Sequence, residues 1–333
     1  MPMSKYKLSI IIPHYNTPKL LDKMLSSIPK RDDVQVIVVD DNSEVGVQEL
    51  LALQSKYDNI ELYTSHYCTH STGLCRNIGI EHSKGRWIMF GDADDYYTDG
   101  WFRKIEPYFD TDYDLVYFLP TSIDLETGEC GTRHEMYVSK IQEYANSPCK
   151  KSEMLLRYDV ASVCLKMHSS RLIKGECIRF EENLAEDTLF SVECGIKAKK
   201  VACLNEIIYC ITQHHGSKTS NVSKELYDQR VKVKIRKCGM LYQVLPGEYL
   251  PYIGLENAGL QILYSAFADG MGFRKVYEYT KLLKRENVPI INWRYFNPVA
   301  LVSKLVMSIR NRIARKVCRE NADLDDYRKT HRK

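Results

Sequence analysis

Apolar and polar positions fall in blocks along the first hundred residues. Residues 8–12 and 34–39 are β-branched apolar runs, each with a single polar residue, the pattern of strands covered on both faces. Residues 60–63 and 87–90 are shorter runs of the same kind, the last bounded by Gly85 and Gly91. Between them, residues 19–28, 45–57 and 73–83 carry helical spacing. Strands alternating with helices at this interval predict βαβ units and a parallel sheet. In such sheets ligands sit at the carboxyl ends of the strands. Three polar clusters stand at those ends: Pro13 to Asn16, Asp40-Asp41-Asn42-Ser43, and Asp92 to Asp95.

Further along, residues 101–109 read as a helix and 115–119 as another apolar strand. Residues 121–138 are polar and turn-rich around Thr127-Gly128, the texture of a hairpin or a flexible excursion. A helix at 151–158 leads to the run 160–166, and an amphipathic run (Leu189, Phe190, Val192, Cys194, Ile196) follows Glu186-Asp187. Residues 207–212 form a strand, and 222–244 and 252–267 have helical texture. INWRYFNP, residues 290–297, breaks the helices. Val302, Leu305, Val306, Ile309, Ile313 and Val317 then share one helical face, with Lys304, Arg312, Arg315, Lys316 and Arg319 around the other. Such a basic amphipathic helix lies in an anionic membrane surface or docks its stripe on the domain, and the first is the expectation. Beyond Asn321 a charged tail is expected to be disordered. The organisation expected is a domain at 1–220, a helical extension at 221–297, and the basic helix and tail at 298–333.

Composition narrows the class. The chain has 333 residues, 44% of them hydrophobic, enough for a packed α/β core with an appendage. A net charge of +4 is too mild to imply nucleic acid. The 11 Cys are scattered without a CxxC pair, and their odd number argues against a complete disulfide framework. Free thiols, no signal-type leader and no run of eighteen apolar residues lead to the expectation of a cytoplasmic protein, peripheral at the inner face of the membrane.

Asp92, Asp94 and Asp95 give the chain its most pointed chemistry. Like charges beside a core repel and are poorly solvated, so such a cluster commonly comes with a cation. Oxygen donors without interleaved His or Cys favour Mg²⁺ or Mn²⁺, which keep positions open for phosphate oxygens. A plain acidic turn after a strand is the bland reading of the same residues.

IIIPHYN, VVDDNS, GLCRNIGI and FGDADD, in this order and spacing, resemble the nucleotide-sugar-binding half of the inverting family-two glycosyltransferases of the GT-A fold, over about residues 5–220. The resemblance implies a Rossmann-like, mostly parallel sheet flanked by helices. It implies that Asp41 reads the uracil of a UDP-sugar and that Pro13, Tyr15 and Asn16 line the base pocket, Tyr15 as an apolar flank. Asp40 would orient the loop, while Asn42-Ser43 reads better as a helix N-cap. Arg76-Asn77 resembles the pair under the base and diphosphate, against the bland reading of an exposed helix arginine. Asp94, with Asp92, would hold Mg²⁺ or Mn²⁺ on the diphosphate, Asp92 also touching the donor. Glu186-Asp187 resembles the family's ED motif, whose aspartate is the general base; a helix N-terminus favours an ionised carboxylate there.

Three sites stay open in the sequence. His14 is given no role. Lys166 is either a phosphate or acceptor contact or a solvent-facing lysine. His214-His215 belong to a polar loop that either approaches the diphosphate and metal or lies at the surface. The function implied is a metal-dependent inverting transfer from a UDP-sugar to a hydroxyl of a glycan or lipid-linked acceptor. A non-catalytic nucleotide-sugar-binding or scaffold protein is the alternative.

Overall fold

The computed structural model describes residues 5–67, 70–182, 186–213 and 223–295, with Val306 and Arg310. The elements run β1 (Leu8–His14), α1 (Pro18–Ser26), β2 (Val34–Asp40), α2 (Val47–Lys56), β3 (Ile60–Thr64), α3 (Thr72–His82), β4 (Trp87–Phe90), β5 (Tyr96–Tyr97) and α4 (Trp101–Ile105). Then come β6 (Leu115–Asp124), α5 (Glu135–Asn146), α6 (Lys150–Asp159), β7 (Lys166–Ser169), α7 (Ser170–Gly175), α8 (Glu186–Lys197) and β8 (Val201–Gln213). α9 (Lys224–Val244), α10 (Ala258–Ala268) and α11 (Gly272–Arg285) complete the described chain.

The strands form one sheet in the order β3-β2-β1-β4-β7-β6-β8-β5. β3, β2, β1 and β4 are parallel neighbours, and every residue of β1, β2 and β4 is buried, which is why those segments read as runs that are apolar at nearly every position. β7 lies antiparallel between β4 and β6, β6 runs parallel to β8, and β5 is an antiparallel edge. The chain leaves β1 for β2 on one side and returns to β4 on the other. That reversal opens a crevice at the carboxyl ends of β1, β2 and β4, where the three polar clusters meet. α3 closes tightly under it: a Cβ on Gly79 would stand 2.3 Å from Ile11 Cγ2, so only glycine lets the helix approach β1 this closely.

Four local expectations are corrected. Asn42 and Ser43 do not cap α2, which begins at Val47 behind a left-handed Gly46. Instead the Ser43 hydroxyl and amide bond Asp40, and Asn42, at φ 58°, donates from Nδ2 to the Tyr67 carbonyl. The strand expected at 115–119 continues to Asp124. The hairpin expected around Thr127-Gly128 is present, closed by the antiparallel Ile123–Cys130 bridge, but its far end gives way to α5 from Glu135. The helical texture expected at 252–267 begins only at Ala258, after a 3-10 segment Gly247–Ile253, and α11 follows it unforeseen.

α9, α10 and α11 share a second hydrophobic core with Met154 and Tyr158 of α6 and Val192 of α8. The helical segment thus seats on the two helices that flank the ED motif. No described helix is long and apolar enough to cross a membrane. The described cysteines are all free thiols. Apart from Val306, which is exposed, the basic amphipathic stripe lies outside the described residues, as does the His214-His215 loop.

Candidate active site

At the end of β1, His14 is buried and knits two loops together. Its Nε2 accepts the Thr17 amide at 3.2 Å, which leaves Nδ1 as the donor to Asp40 Oδ1 at 2.8 Å. Burial alone would raise the Asp40 pKa, but His14 and the Ser43 hydroxyl and amide outweigh it and hold the carboxyl below its ordinary value. Asn16, at φ 57°, spends its side-chain carbonyl on the Glu44 and Val45 amides at 2.8 and 2.9 Å. It therefore clamps the β1 loop to the β2 loop, a structural task that the sequence did not show. Pro13 is buried at the strand end, and Tyr15 is 37% exposed on the adjoining loop.

Asp41 sits in the crevice with its amide on the His14 carbonyl at 2.8 Å. Its carboxylate is buried, and Oδ1 takes no hydrogen bond from any described residue. A buried acceptor of this kind is costly unless a ligand donor meets it. His70, which the sequence reading passed over, stands beside it: Nδ1 is 3.2 Å from the Asp41 carbonyl and 3.8 Å from Oδ2, and its ring lies 4.4 Å from that of Tyr15. Its only signal in the sequence was its place in a polar loop ahead of α3.

The centre of the site is Arg76. The side chain is 3% exposed, which rules out the reading of an exposed helix arginine. Nη2 donates to Asp92 Oδ1 at 2.7 Å and Nη1 to Asp187 Oδ1 at 2.7 Å, with Glu186 Oε1 at 3.5 Å. The guanidinium lies 5.3 Å over the Phe180 ring, itself stacked on Phe190 at 3.8 Å. One cation thus ties the strand that ends in Asp92 to the helix that begins with Glu186-Asp187. Asn77 braces the same junction, exchanging hydrogen bonds of 2.8 and 2.9 Å with the Phe180 backbone.

Asp187 Oδ2 also receives the Val163 amide at 3.4 Å, and its side chain keeps 31% exposure to the crevice. Burial raises its pKa, an effect only partly offset by Arg76. Burial likewise pushes Glu186 to about 7 against the pull of Arg76 and of the Gly73 amide. A Cβ on Gly73 would stand 2.8 Å from Glu186 Oε2, so the carboxylate would have to shift from its present place over this helix start.

The acidic motif divides its labour. Asp95 is buried, its Oδ1 accepting the Thr212 amide at 2.7 Å, and burial with the charges of Asp92 and Asp94 raises its pKa far above the carboxylate range. It anchors β8. Asp94 is half-buried, with its carbonyl bonded by the Thr212 hydroxyl at 2.7 Å, and Asp92 is 40% exposed. Among the described residues no group of three or more His, Cys, Asp or Glu side chains is arranged to hold a metal ion. Asp92 and Asp94 still fit a hard divalent cation, because such ions are commonly held by one or two carboxylates plus substrate phosphates and water.

Lys166 corrects both of its expected readings. It is fully buried, donating to the Val160 carbonyl at 2.7 Å and Ser191 Oγ at 3.2 Å, with its Nζ 4.9 Å from the centre of the Tyr117 ring. Burial pulls its pKa down to about 8.

Against known proteins, residues 9–172 match the model of Glycosyl transferase family 2. The chain is 26% identical over 225 residues to the poly(ribitol-phosphate) beta-N-acetylglucosaminyltransferase TarS of Staphylococcus aureus, covering 65% of this chain and 37% of that protein. It therefore spans little more than a third of that relative. It is 24% identical over 357 residues to the cholesterol galactosyltransferase of Borreliella burgdorferi, covering 92% of this chain and 93% of that one. The crystal structure of S. aureus TarS 1–349 in complex with UDP-GlcNAc superposes with a TM-score of 0.62 at 19% identity, over 85% of this chain and 83% of that one. That likeness shows the fold. Residues 9–172, which hold the polar motifs at the crevice of a GT-A sheet, form a glycosyl transferase family 2 domain.

Proposed function

We propose that the chain transfers a sugar from a UDP-sugar to a hydroxyl of a glycan or lipid-linked acceptor, with inversion at the anomeric carbon and with a divalent metal. The observation that carries this reading is the single buried guanidinium of Arg76 on both Asp92 and Asp187. It sets the end of the DxD strand and a partly exposed carboxylate on opposite sides of one cation. Asp41, with a buried unpaired Oδ1, suits the N–H edge of a uracil, and Tyr15 and His70 offer ring faces beside it. The relatives support the donor and acceptor classes. The TarS crystal structure holds UDP-GlcNAc. The TarS name gives a beta product and a poly(ribitol-phosphate) acceptor.

In the reaction, Asp187 accepts the proton of the acceptor hydroxyl as its oxygen bonds the anomeric carbon. The bond from that carbon to the β-phosphate oxygen breaks on the opposite face, and UDP leaves with the electron pair. Bound at Asp92 and Asp94, the cation would neutralise negative charge on the leaving diphosphate. Arg76 orients Asp187 and keeps it ionised. Burial raises the pKa of the base toward the working range of a general base, while the arginine stops it from rising so far that the carboxylate is lost.

The metal arm is tested by calorimetry of UDP with and without Mn²⁺. Wild type should bind UDP more tightly with Mn²⁺. Asp94→Ala should lose that increment while its circular dichroism and melting stay native, since it removes a ligand and no core packing. Equal metal-dependent affinity in the variant would remove Asp94 from the site.

A further inference from the structure

Beside the donor crevice lies a cavity of about 770 Å³, between the start of α3 and the Glu186 end of α8 on one side and α9 with α11 on the other. Its size falls within the roughly 300–1,000 Å³ of small-molecule sites. One wall carries Glu181, Glu182 and Glu186, and the facing wall carries Lys232, Arg236 and Arg285. The Ser71 and Thr72 side of α3 and Gln229 of α9 add neutral polar groups, and Val233 and Leu282 supply a small apolar patch. None of the residues on the α9 and α11 wall belongs to the motifs that the sequence singled out.

We infer that this cavity is the acceptor subsite and that it takes a polyhydroxylated unit, a sugar or alditol, with its reacting hydroxyl directed toward Asp187; the inference rests on the transferase reading above. Three features support it. The cavity opens onto Glu186, whose Oε1 lies 3.5 Å from the same Arg76 Nη1 that holds Asp187 at 2.7 Å, so its inner end is one side chain from the base. Its charges balance across the gap. Hydroxyls, which both donate and accept, suit facing rows of acceptors and donors, whereas a bare anion would meet three carboxylates. The cations are already engaged, Arg236 in a two-pronged pair with Glu181 and Lys232 with Asp228 at 2.8 Å. Those pairs are partly exposed, so rearranging them around a neutral ligand is inexpensive.

The test uses the full chain saturated with UDP and Mn²⁺, with ¹³C-labelled Val and Leu methyl groups. Probes are glucitol, methyl β-glucoside, methyl β-galactoside, methyl N-acetyl-β-glucosaminide and inorganic phosphate. At least one polyhydroxylated probe should shift the Val233 and Leu282 methyl signals in a saturable way, and phosphate should not. Gln229→Trp, which fills the cavity from a half-buried position, should weaken that binding at least about tenfold. UDP affinity and UDP-sugar hydrolysis by water should be unchanged. Arg285→Ala, at a 71% exposed side chain, is the second variant should the tryptophan disturb folding, and it should weaken the same probe. Saturable shifts with phosphate alone, shifts that survive both variants, or no shift with any probe would overturn the inference. Failure of UDP itself to bind would instead overturn the transferase reading.

Discussion

At the residue scale, the site is an exercise in sharing one cation among several carboxylates. Breaking a buried pair leaves an uncompensated charge, so Arg76 and its partners stand or fall together. Glu186 is the member whose burial wins. Its folded pKa of about 7 lies above the ordinary glutamate value of 4.5, so the folded state holds the proton more tightly than the unfolded chain. The contribution of that proton is fully present below pH 4.5 and is lost as pH rises through 7. Glu186→Gln should therefore melt like wild type near pH 4.5 and above it at pH 8, in ligand-free protein. A melting difference that does not change with pH would contradict the burial of this carboxylate. Asp41 makes the complementary case of an acceptor awaiting a donor. Asp41→Ala should weaken UDP by about 1–3 kcal/mol, the cost of one buried hydrogen bond. An unmoved UDP affinity would make Asp41 a loop residue only.

At the scale of elements, the short segment between α6 and β7 is what steadies the base. Lys166 holds the Val160 carbonyl and Ser191 Oγ, Ser191 holds the Ala161 carbonyl, and Val163 offers its amide to Asp187. Lys166 thus acts as a positioning residue, and its positive charge also helps keep Asp187 ionised. Removing a cation near a carboxylate disfavours the charged form. Lys166→Met should accordingly move the acidic limb of the pH–rate profile to higher pH, with UDP affinity unchanged. A profile that stays in place while the rate falls would indicate a purely structural lysine. The sequence showed β1, β2 and β4 because full burial leaves runs that are apolar at nearly every position, whereas β5 and β7 are too short to leave one. It missed α5, where Ile141 alone is fully buried, and α11, where Tyr279 and Leu283 are, since so thin a stripe is lost among charges. It placed Lys166 in solvent or on a ligand because lysines are rarely buried without a partner. Its partners, a carbonyl six residues back and a serine on α8, cannot be seen from the local pattern.

At the scale of the whole molecule, the sheet brings together residues far apart in the chain. Arg76 and Asp187 are 111 positions apart, and only the crossing of β4 beside β1 makes them neighbours. The motif order revealed each participant, but not that one arginine joins Asp92 to Asp187. α9 and α11, in the helical segment seated on α6 and α8, build the outer wall of the cavity from residues that carry no motif. The central claim is that Asp187, held by Arg76, is the general base of a UDP-sugar transferase. The most direct measurement compares Asp187→Asn with wild type, scoring transfer to a working acceptor against UDP affinity in the same buffer. A general base is worth typically about 10²–10⁴-fold. The account predicts a loss of that order in transfer with UDP affinity essentially intact, because Asp41 and the metal ligands are untouched. Retention of most of the turnover by Asp187→Asn would contradict it and transfer the role to Glu186.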